Sequence, residues 1–417
     1  MSFIKTPVKG MPEYLPTDMD IREYVMRQIK DTYRNYGFSL VETPAIEHIE
    51  NLTGKEGGEN EQLIFKILKR GEKLNEAVSM GLEAMTDSGL RYDLTVPLAR
   101  FYANNAEKLP SPFKAMQIGP SWRADRPQKG RFRQFTQCDI DILGDETNLA
   151  EIELISATAH MLSKLKLGKF KIRINDRRLL RGMALSCAMP EDKLDSVFII
   201  LDKMDKIGLE GVKEMLIDSG LNPASVEKYC AFFEKPEELS DPSHLKQCGI
   251  AEYIDEETLP NLEYISNMVR ETLSDDASLI FDPTLVRGMS YYTGPIFEIE
   301  LENFHLSVAG GGRYDKMIGK YLGRPVPACG FSIGLERIVT VIKENHIRLG
   351  ETTEGIAFLL EDGIDDAKMA ETIQTANKMR QEGQRVLISH RNKNVKFQKA
   401  QLSSLGYTQF IDVYRRN

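Results

Sequence analysis

The sequence predicts an α+β fold, and three stretches carry that prediction. Two strand-like runs are joined by a long polar loop, a long helical stretch lies apart from them, and a strand–helix series closes the chain. Strands paired with sequence neighbours and helices gathered elsewhere mark this class. In the first stretch, Phe113 to Ile118 and the alternating Phe135 to Ile142 read as antiparallel strands. Between and into them runs Arg123-Ala-Asp-Arg-Pro-Gln-Lys-Gly-Arg-Phe-Arg-Gln-Phe-Thr-Gln-Cys-Asp-Ile-Asp141, with four arginines, a lysine and three carboxylates. A core strand does not carry that charge. A hairpin whose cations point one way is suited to polyphosphate.

The other elements follow in order. Thr17-Asp-Met-Asp-Ile-Arg-Glu opens a helix with a capped start and an acidic first turn, and Ile21, Tyr24, Val25 and Ile29 recur at helical spacing until Gly37 ends it. Phe38-Ser-Leu-Val-Glu-Thr-Pro44 is read as a strand stopped by proline. Leu90-Arg-Tyr-Asp-Leu-Thr-Val-Pro97 is read as a strand leading into a helix, with Asp93 and Thr95 on one face by the two-residue period. From Leu167 to Leu262 charged helical segments alternate with turn signals such as Leu221-Asn-Pro and Ser240-Asp-Pro. Leu285-Val-Arg-Gly-Met-Ser-Tyr-Tyr-Thr-Gly294 lies between strand-like runs, and Gly330-Phe-Ser-Ile-Gly-Leu-Glu-Arg337 takes a small-residue strand into a helix. Beyond Leu349 a βαβαβ series is expected: Gly355 to Leu360, Ile364 to Gln381, Arg385 to Ser389, Val395 to Leu405 and Phe410 to Tyr414.

Composition narrows the class of protein. A chain of 417 residues is too long for one ordinary core, and 41% hydrophobic with 28% charged residues is the balance of a soluble globular protein. The N-terminus has no apolar h-region and no window approaches the roughly 18 apolar residues that span a bilayer, so a cytoplasmic protein without membrane contact is expected. Cys138, Cys187, Cys230, Cys248 and Cys329 are odd in number and scattered, which argues for reduced thiols. Neither cysteines nor histidines show metal-ligand spacing. The net charge of −8 argues against a general nucleic-acid coat, and DNA is not an expected partner. Charge is local, however. From Arg385 onward, Arg385, Arg391, Lys393, Lys396, Lys399, Arg415 and Arg416 face Asp412 alone, a patch that permits nucleic-acid contact or is simply solvated.

The quoted segments resemble the histidyl-tRNA synthetases, a class II aminoacyl-tRNA synthetase family. The arginine-rich hairpin matches motif 2, Leu285 to Gly294 the histidine-specific Arg-Gly-x-x-Tyr-Tyr motif, and Gly330 to Arg337 motif 3. Ala309-Gly-Gly-Gly-Arg-Tyr-Asp315 is a further signature, and the helix–strand–proline unit before Pro44 resembles the dimer-forming motif 1. The elements occur in family order from about Lys9 to Arg337. The resemblance implies an antiparallel catalytic sheet flanked by helices over residues 1–166 and 263–348. It also implies a helical insertion over 167–262 and a shortened anticodon-binding-like α/β domain over 349–417.

It implies chemistry as well. ATP and Mg²⁺ are the expected ligands, histidine and tRNA(His) the substrates, and a homodimer the working form. Arg123 and Arg287 would be catalytic on opposite sides of the α-phosphate, and Asp125, Arg131, Phe135 and Arg337 would complete the ATP site, Phe135 and Arg337 about the adenine. Planar guanidiniums suit a reaction that brings two anions together. Asp93, Thr95 and Gln137 would hold the ammonium of histidine, and Asp141 with Tyr292, beside Tyr291, its ring. Gly310, Gly311 and Gly312 would let backbone approach the ligand, and Arg126, Gln128 and Lys129 would meet the acceptor end of tRNA. Met289 and Ser290 stand where the family has Leu-Asp, and Pro12 and Glu13 where it has Arg-Asp. These departures keep two alternatives open: a non-catalytic regulatory subunit of ATP phosphoribosyltransferase, and a paralogue that activates histidine without charging tRNA.

Overall fold

A computed structural model of the chain describes residues 3–53, 62–81, 83–128, 130–234, 249–289, 291–347 and 354–415. They form two compact units, Met1–Pro12 with Val25–Asn345 and Glu13–Tyr24 with His346–Asn417. Lys129, Ser290, Cys248 and Arg416, named above, lie outside the described residues.

Helix α1 (Pro16–Asn35) begins one residue before the expected Thr17, at a proline whose fixed φ suits the first helical position. Its Val25, Ile29 and Tyr33 are fully buried. The following strand, β1 (Ser39–Leu40), is far shorter than the run ending at Pro44. Strands β2 (Ile46–His48), β3 (Lys66–Leu68) and β4 (Thr86–Leu90) make a small antiparallel sheet in the order β2-β4-β3. The strand expected to lead into a helix over Leu90 to Pro97 does so, but the changeover comes early and leaves Asp93 and Thr95 off the strand. β4 stops at Leu90, and helix α2 (Thr95–Asn105) starts at Thr95 with the Asp93 carboxylate accepting the Val96 N–H at 3.1 Å. That side-chain bond favours a helix start over extended backbone. Asp93 and Thr95 therefore reach the site from a helix N-terminus.

The expected hairpin forms and is longer than its apolar runs. β5 (Phe113–Trp122) pairs antiparallel with β6 (Gln134–Leu143) from Phe113 opposite Leu143 to Trp122 opposite Gln134. Helix α3 (Leu149–Leu165) and strand β7 (Phe170–Asp176) lead into a run of helices: α4 (Arg177–Ser186), α5 (Leu194–Leu201), α6 (Met204–Asp218), α7 (Pro223–Ala231) and α8 (Thr258–Arg270). β8 (Ala277–Phe281), β9 (Pro295–Leu301), β10 (Leu306–Arg313) and β11 (Ala328–Gly334) complete the sheet, and helix α9 (Leu335–Glu344) follows. The eight strands lie in the order β1-β5-β6-β11-β10-β9-β7-β8, antiparallel except for the β1–β5 and β7–β8 pairs.

One buried ion pair ties this sheet to its helices. Arg313 on β10 meets Glu151 on α3 through Nε at 2.5 Å and Nη2 at 2.7 Å, and it also donates to the Asp145 and Thr147 carbonyls.

In the second unit, β12 (Gly355–Leu360), β13 (Arg385–His390) and β14 (Tyr407–Val413) form a parallel sheet in the order β13-β12-β14. Helices α10 (Asp366–Gln381) and α11 (Val395–Ser404) connect them. Ile356, Phe358, Leu360, Ala376 and Val413 form its core. These are the expected elements within a few residues at each end. The four described cysteines are free and buried, and no described helix is long and apolar enough to cross a membrane.

Candidate active site

A cleft of about 810 Å³ opens on one face of the eight-stranded sheet, within the roughly 300–1,000 Å³ range of ligand pockets. Fourteen of the expected site residues line it: Asp93, Thr95, Arg123, Asp125, Arg126, Gln128, Arg131, Phe135, Gln137, Asp141, Arg287, Tyr291, Tyr292 and Arg337 are all on its wall. The two ends differ in charge.

At the acidic end, β6 presents Gln137, Asp139 and Asp141, all buried, on one face because strand side chains alternate. Gln137 Oε1, Asp139 Oδ1 and Asp141 Oδ2 are buried without a hydrogen-bond partner. Folded proteins seldom leave such acceptors unpaired, since each costs on the order of 1–3 kcal/mol. Three of them in one cleft mark a place for donors from a ligand. Burial pushes the Asp141 carboxyl up to about 7, against the opposing hydrogen bond from Tyr314 and helped by the charge of Asp93. Asp139 is raised by burial and by Asp141, and Asp93 by burial alone, against its hydrogen bonds and Arg123.

A tyrosine wall encloses this end. The Tyr314 hydroxyl donates to Asp141 Oδ1 at 2.6 Å, and the Tyr291 hydroxyl lies 3.5 Å from Asp93 Oδ2. Tyr292 packs edge-on against Tyr291 with ring centroids 4.8 Å apart, and Tyr291 packs against Tyr314 at 6.0 Å. The glycines make room for the protein's own side chains and backbone. A Cβ on Gly330 would stand 2.0 Å from Asp141 Oδ1, one on Gly310 2.3 Å from the Arg287 guanidinium, and one on Gly311 2.0 Å from the Gly330 carbonyl oxygen.

The basic end gathers four arginines. Arg123 donates to the Tyr92 carbonyl at 2.9 Å and lies 5.1 Å from the Phe135 ring centre. Arg131 pairs with Asp125 at 2.9 Å, closing a tight turn in which Gln128 and Arg131 exchange backbone bonds. Arg287 pairs with Glu298 at 2.8 Å, and the other Glu298 oxygen takes Arg173 at 3.2 Å. Burial lowers the affinity of Arg287 for its proton, but Tyr292, Glu298 and Asp202 outweigh it and the net shift is upward. Arg337 donates to the Ser307 carbonyl, and burial together with the charge of Arg287 shifts it downward. Its neighbour Glu336 accepts the Thr136 N–H on both oxygens at 2.9 Å, anchoring the first turn of α9 on β6.

Sequence reasoning did not single out Asp139, Tyr314, Glu298 or Asp202 as site residues. Asp139 was readable, since it sits two residues from both Gln137 and Asp141 on a strand. Tyr314 lies inside the Ala309 to Asp315 segment. Glu298 and Asp202 carry no local signal. Among the described residues no group of three His, Cys, Asp or Glu side chains comes together to hold a metal ion.

Comparison with known proteins identifies the family. The family profile for histidyl-tRNA synthetase matches residues 10–338. A histidine–tRNA ligase from Leifsonia xyli subsp. xyli is 39% identical over 98% of this chain and 95% of its own, so the match includes the C-terminal unit. A probable histidine–tRNA ligase from Tropheryma whipplei is 41% identical over 81% of this chain and 80% of its own. Among solved structures, a histidyl-tRNA synthetase from Nostoc sp. PCC 7120 superposes with a TM-score of 0.74 at 27% identity, covering 97% of this chain and 90% of that one. A Bacillus halodurans C protein described as an ATP phosphoribosyltransferase regulatory subunit/histidyl-tRNA synthetase superposes at 0.76 over 99% of both chains, and at 21% identity it shows the shared fold alone.

Proposed function

The chain belongs to the histidyl-tRNA synthetase family, whose members are ATP-using aminoacyl-tRNA ligases, and from that premise we propose how its cleft joins histidine to tRNA(His). Histidine lies at the acidic end and ATP at the basic end. The observation that carries the assignment is the set of orphaned acceptors, Asp141 Oδ2, Asp139 Oδ1 and Gln137 Oε1, beside a tyrosine wall and across from Arg123, Arg131, Arg287 and Arg337.

Histidine brings an ammonium and a ring N–H, the donors those acceptors lack. Asp93, Thr95 and Gln137 take the ammonium. Asp141, fixed by Tyr314, takes a ring N–H, with Tyr291 and Tyr292 packing beside it. The histidine carboxylate then attacks the α-phosphorus of ATP, the bond to the bridging oxygen breaks, and pyrophosphate leaves with the electron pair. Charge grows on the non-bridging oxygens in the transition state, where the guanidiniums of Arg123 and Arg287 stabilise it from two sides. Phe135 and Arg337 hold the adenine, and Arg131, ion-paired with Asp125, meets the phosphates. Mg²⁺ would be held by the phosphates and water with help from Asp125 and would neutralise phosphate charge. In the second step the terminal ribose hydroxyl of tRNA attacks the adenylate carbonyl and AMP leaves. Arg126 and Gln128 on the hairpin, with Lys129, guide that end of the tRNA.

The protein works in the cytoplasm as a homodimer in this reading. Leu40 on the edge strand β1 and nearby Ile46, 49% and 53% exposed, offer apolar area for the partner subunit. Sedimentation at equilibrium gives twice the 47.3 kDa chain mass if so. The helical stretch 167–262 serves as an insertion and 349–417 as the anticodon-side domain. Retention of all four arginines on one cleft wall disfavours a regulatory subunit. Histidine-dependent ATP–pyrophosphate exchange followed by tRNA charging tests the whole. Both activities together support the ligase, exchange without charging points to the paralogue, and no exchange rejects the proposal.

A further inference from the structure

Arg287 sits in the irregular stretch between β8 and β9, so no strand ladder fixes its backbone. Its position is nevertheless held from outside the sheet. Arg177, the first residue of α4, donates Nη1 to the Arg287 carbonyl at 3.2 Å. The same guanidinium donates Nη2 to Asp195 at 3.2 Å and stacks 4.1 Å from the Phe198 ring centre, and both of those residues are on α5. At the C-terminal end of α5, the Asp202 carboxylate faces the Gly288 N–H and the Arg287 charge. It packs so closely that a Cβ on Gly288 would stand 2.9 Å from Asp202 Oδ2.

The Arg287 carbonyl and the Gly288 N–H belong to one peptide group. Holding both of its poles fixes the plane of that peptide, and hence the backbone torsion from which the Arg287 side chain is aimed. Glu298 restrains only the far end, the guanidinium that must also serve the substrate. Displacing a charge partner by about an ångström costs orders of magnitude in rate, so an arginine on an irregular loop needs such a hold.

We propose that helices α4 and α5 position Arg287 for amino-acid activation, with Arg177 at the start of α4 and Asp202 at the end of α5 as the positioning residues on either pole of the Arg287–Gly288 peptide. The inserted helices thereby set the rate of adenylate formation as well as flanking the cleft. This rests on the reading of Arg287 as a partner of the α-phosphate.

The test is ATP–pyrophosphate exchange on the full chain for Asp202→Ala, Asp202→Asn, Arg287→Ala and the Asp202→Ala/Arg287→Ala double variant, with thermal melts to verify folding. Asp202→Ala is expected to lower kcat about tenfold with the KM for histidine and ATP within about twofold, and Asp202→Asn to recover much of the loss because its amide oxygen still faces the Gly288 N–H. In the Arg287→Ala background the Asp202 change should add less than about twofold, since there is no guanidinium left to aim. Arg177→Lys, which keeps the charge and loses the fork, should repeat the kcat loss; if it does not fold, the Asp202 pair decides. An equal factor for Asp202→Ala in both backgrounds, or a wild-type rate for Asp202→Ala while Arg287→Ala is slow, overturns the positioning role. A near wild-type rate for Arg287→Ala overturns the catalytic reading beneath it instead.

Discussion

The eight-stranded sheet and the three-stranded parallel sheet treat charge in opposite ways. On the larger sheet, acceptors are buried without partners and carboxyls sit close enough to raise one another. In the C-terminal unit three cations near the surface are already engaged. Lys399 pairs with Asp412 at 2.7 Å and lies over the Phe410 ring, Arg391 approaches Asp412 at 3.8 Å and lies over Tyr414, and Arg385 lies over Tyr407. The difference teaches where to look for a ligand. Unpaired polar groups buried in a cleft cost free energy that a ligand can return, whereas cations near the surface, lying over aromatic rings, cost little.

Breaking a charge pair in each region should expose the contrast most strongly. Glu151 is fully buried against Arg313, so Glu151→Ala leaves a buried guanidinium uncompensated and should cost about 3–5 kcal/mol in denaturant unfolding. Loss of less than about 1 kcal/mol would mean water reaches Arg313 freely.

Within the cleft, Arg287→Ala should slow histidine-dependent exchange at least about a hundredfold while leaving histidine binding nearly intact, the pattern for a group that acts in the transition state. Near wild-type exchange would remove Arg287 from the chemistry.

Asp141→Asn should weaken histidine about tenfold or more and ATP little, because it removes charge at one end of the cleft only. Wild-type histidine affinity should also rise with pH through about 7, since the raised Asp141 carboxyl must lose its proton before it can accept a ring N–H. The sign for folding is the reverse. The native state holds that proton more tightly than the unfolded chain, so this contribution is present at low pH and is lost as pH rises through about 7. Free histidine titrates in the same range, so the reading is the difference between the parent and Asp141→Asn. Parallel pH profiles for the two would reject the assignment.

On the C-terminal side, Lys393 and Lys396 are exposed, while Lys399 is engaged by Asp412. Neutralising Lys393 and Lys396 should raise the tRNA KM about threefold and flatten its salt dependence. Unchanged charging at every salt concentration would leave tRNA recognition to Arg126 and Gln128. The smallest effect is expected for Asp412→Asn, under about 1 kcal/mol of stability, because its partners remain partly in water.

Much of this molecule was legible from local pattern. The β-strand from Gly355 to Leu360 forms as its apolar run requires, and the two-residue period of β6 puts Gln137, Asp139 and Asp141 on one face before any tertiary contact is known. The arginines drew notice because clustered cations between apolar strands are unusual in a core, and the structure brings them to one cleft. Local pattern failed where a side chain competes with the backbone, as when Asp93 caps the start of α2 and ends an extended run. It was silent on everything set by contacts between distant segments. Tyr314 reaches Asp141 across 173 positions, Glu298 is shared by Arg173 and Arg287, and Arg177 at the start of α4 reaches the Arg287 carbonyl across 110 positions. Periodicity reports which face of an element is buried; which two elements then meet is decided by how the sheet and its helices pack, and no residue spacing encodes that.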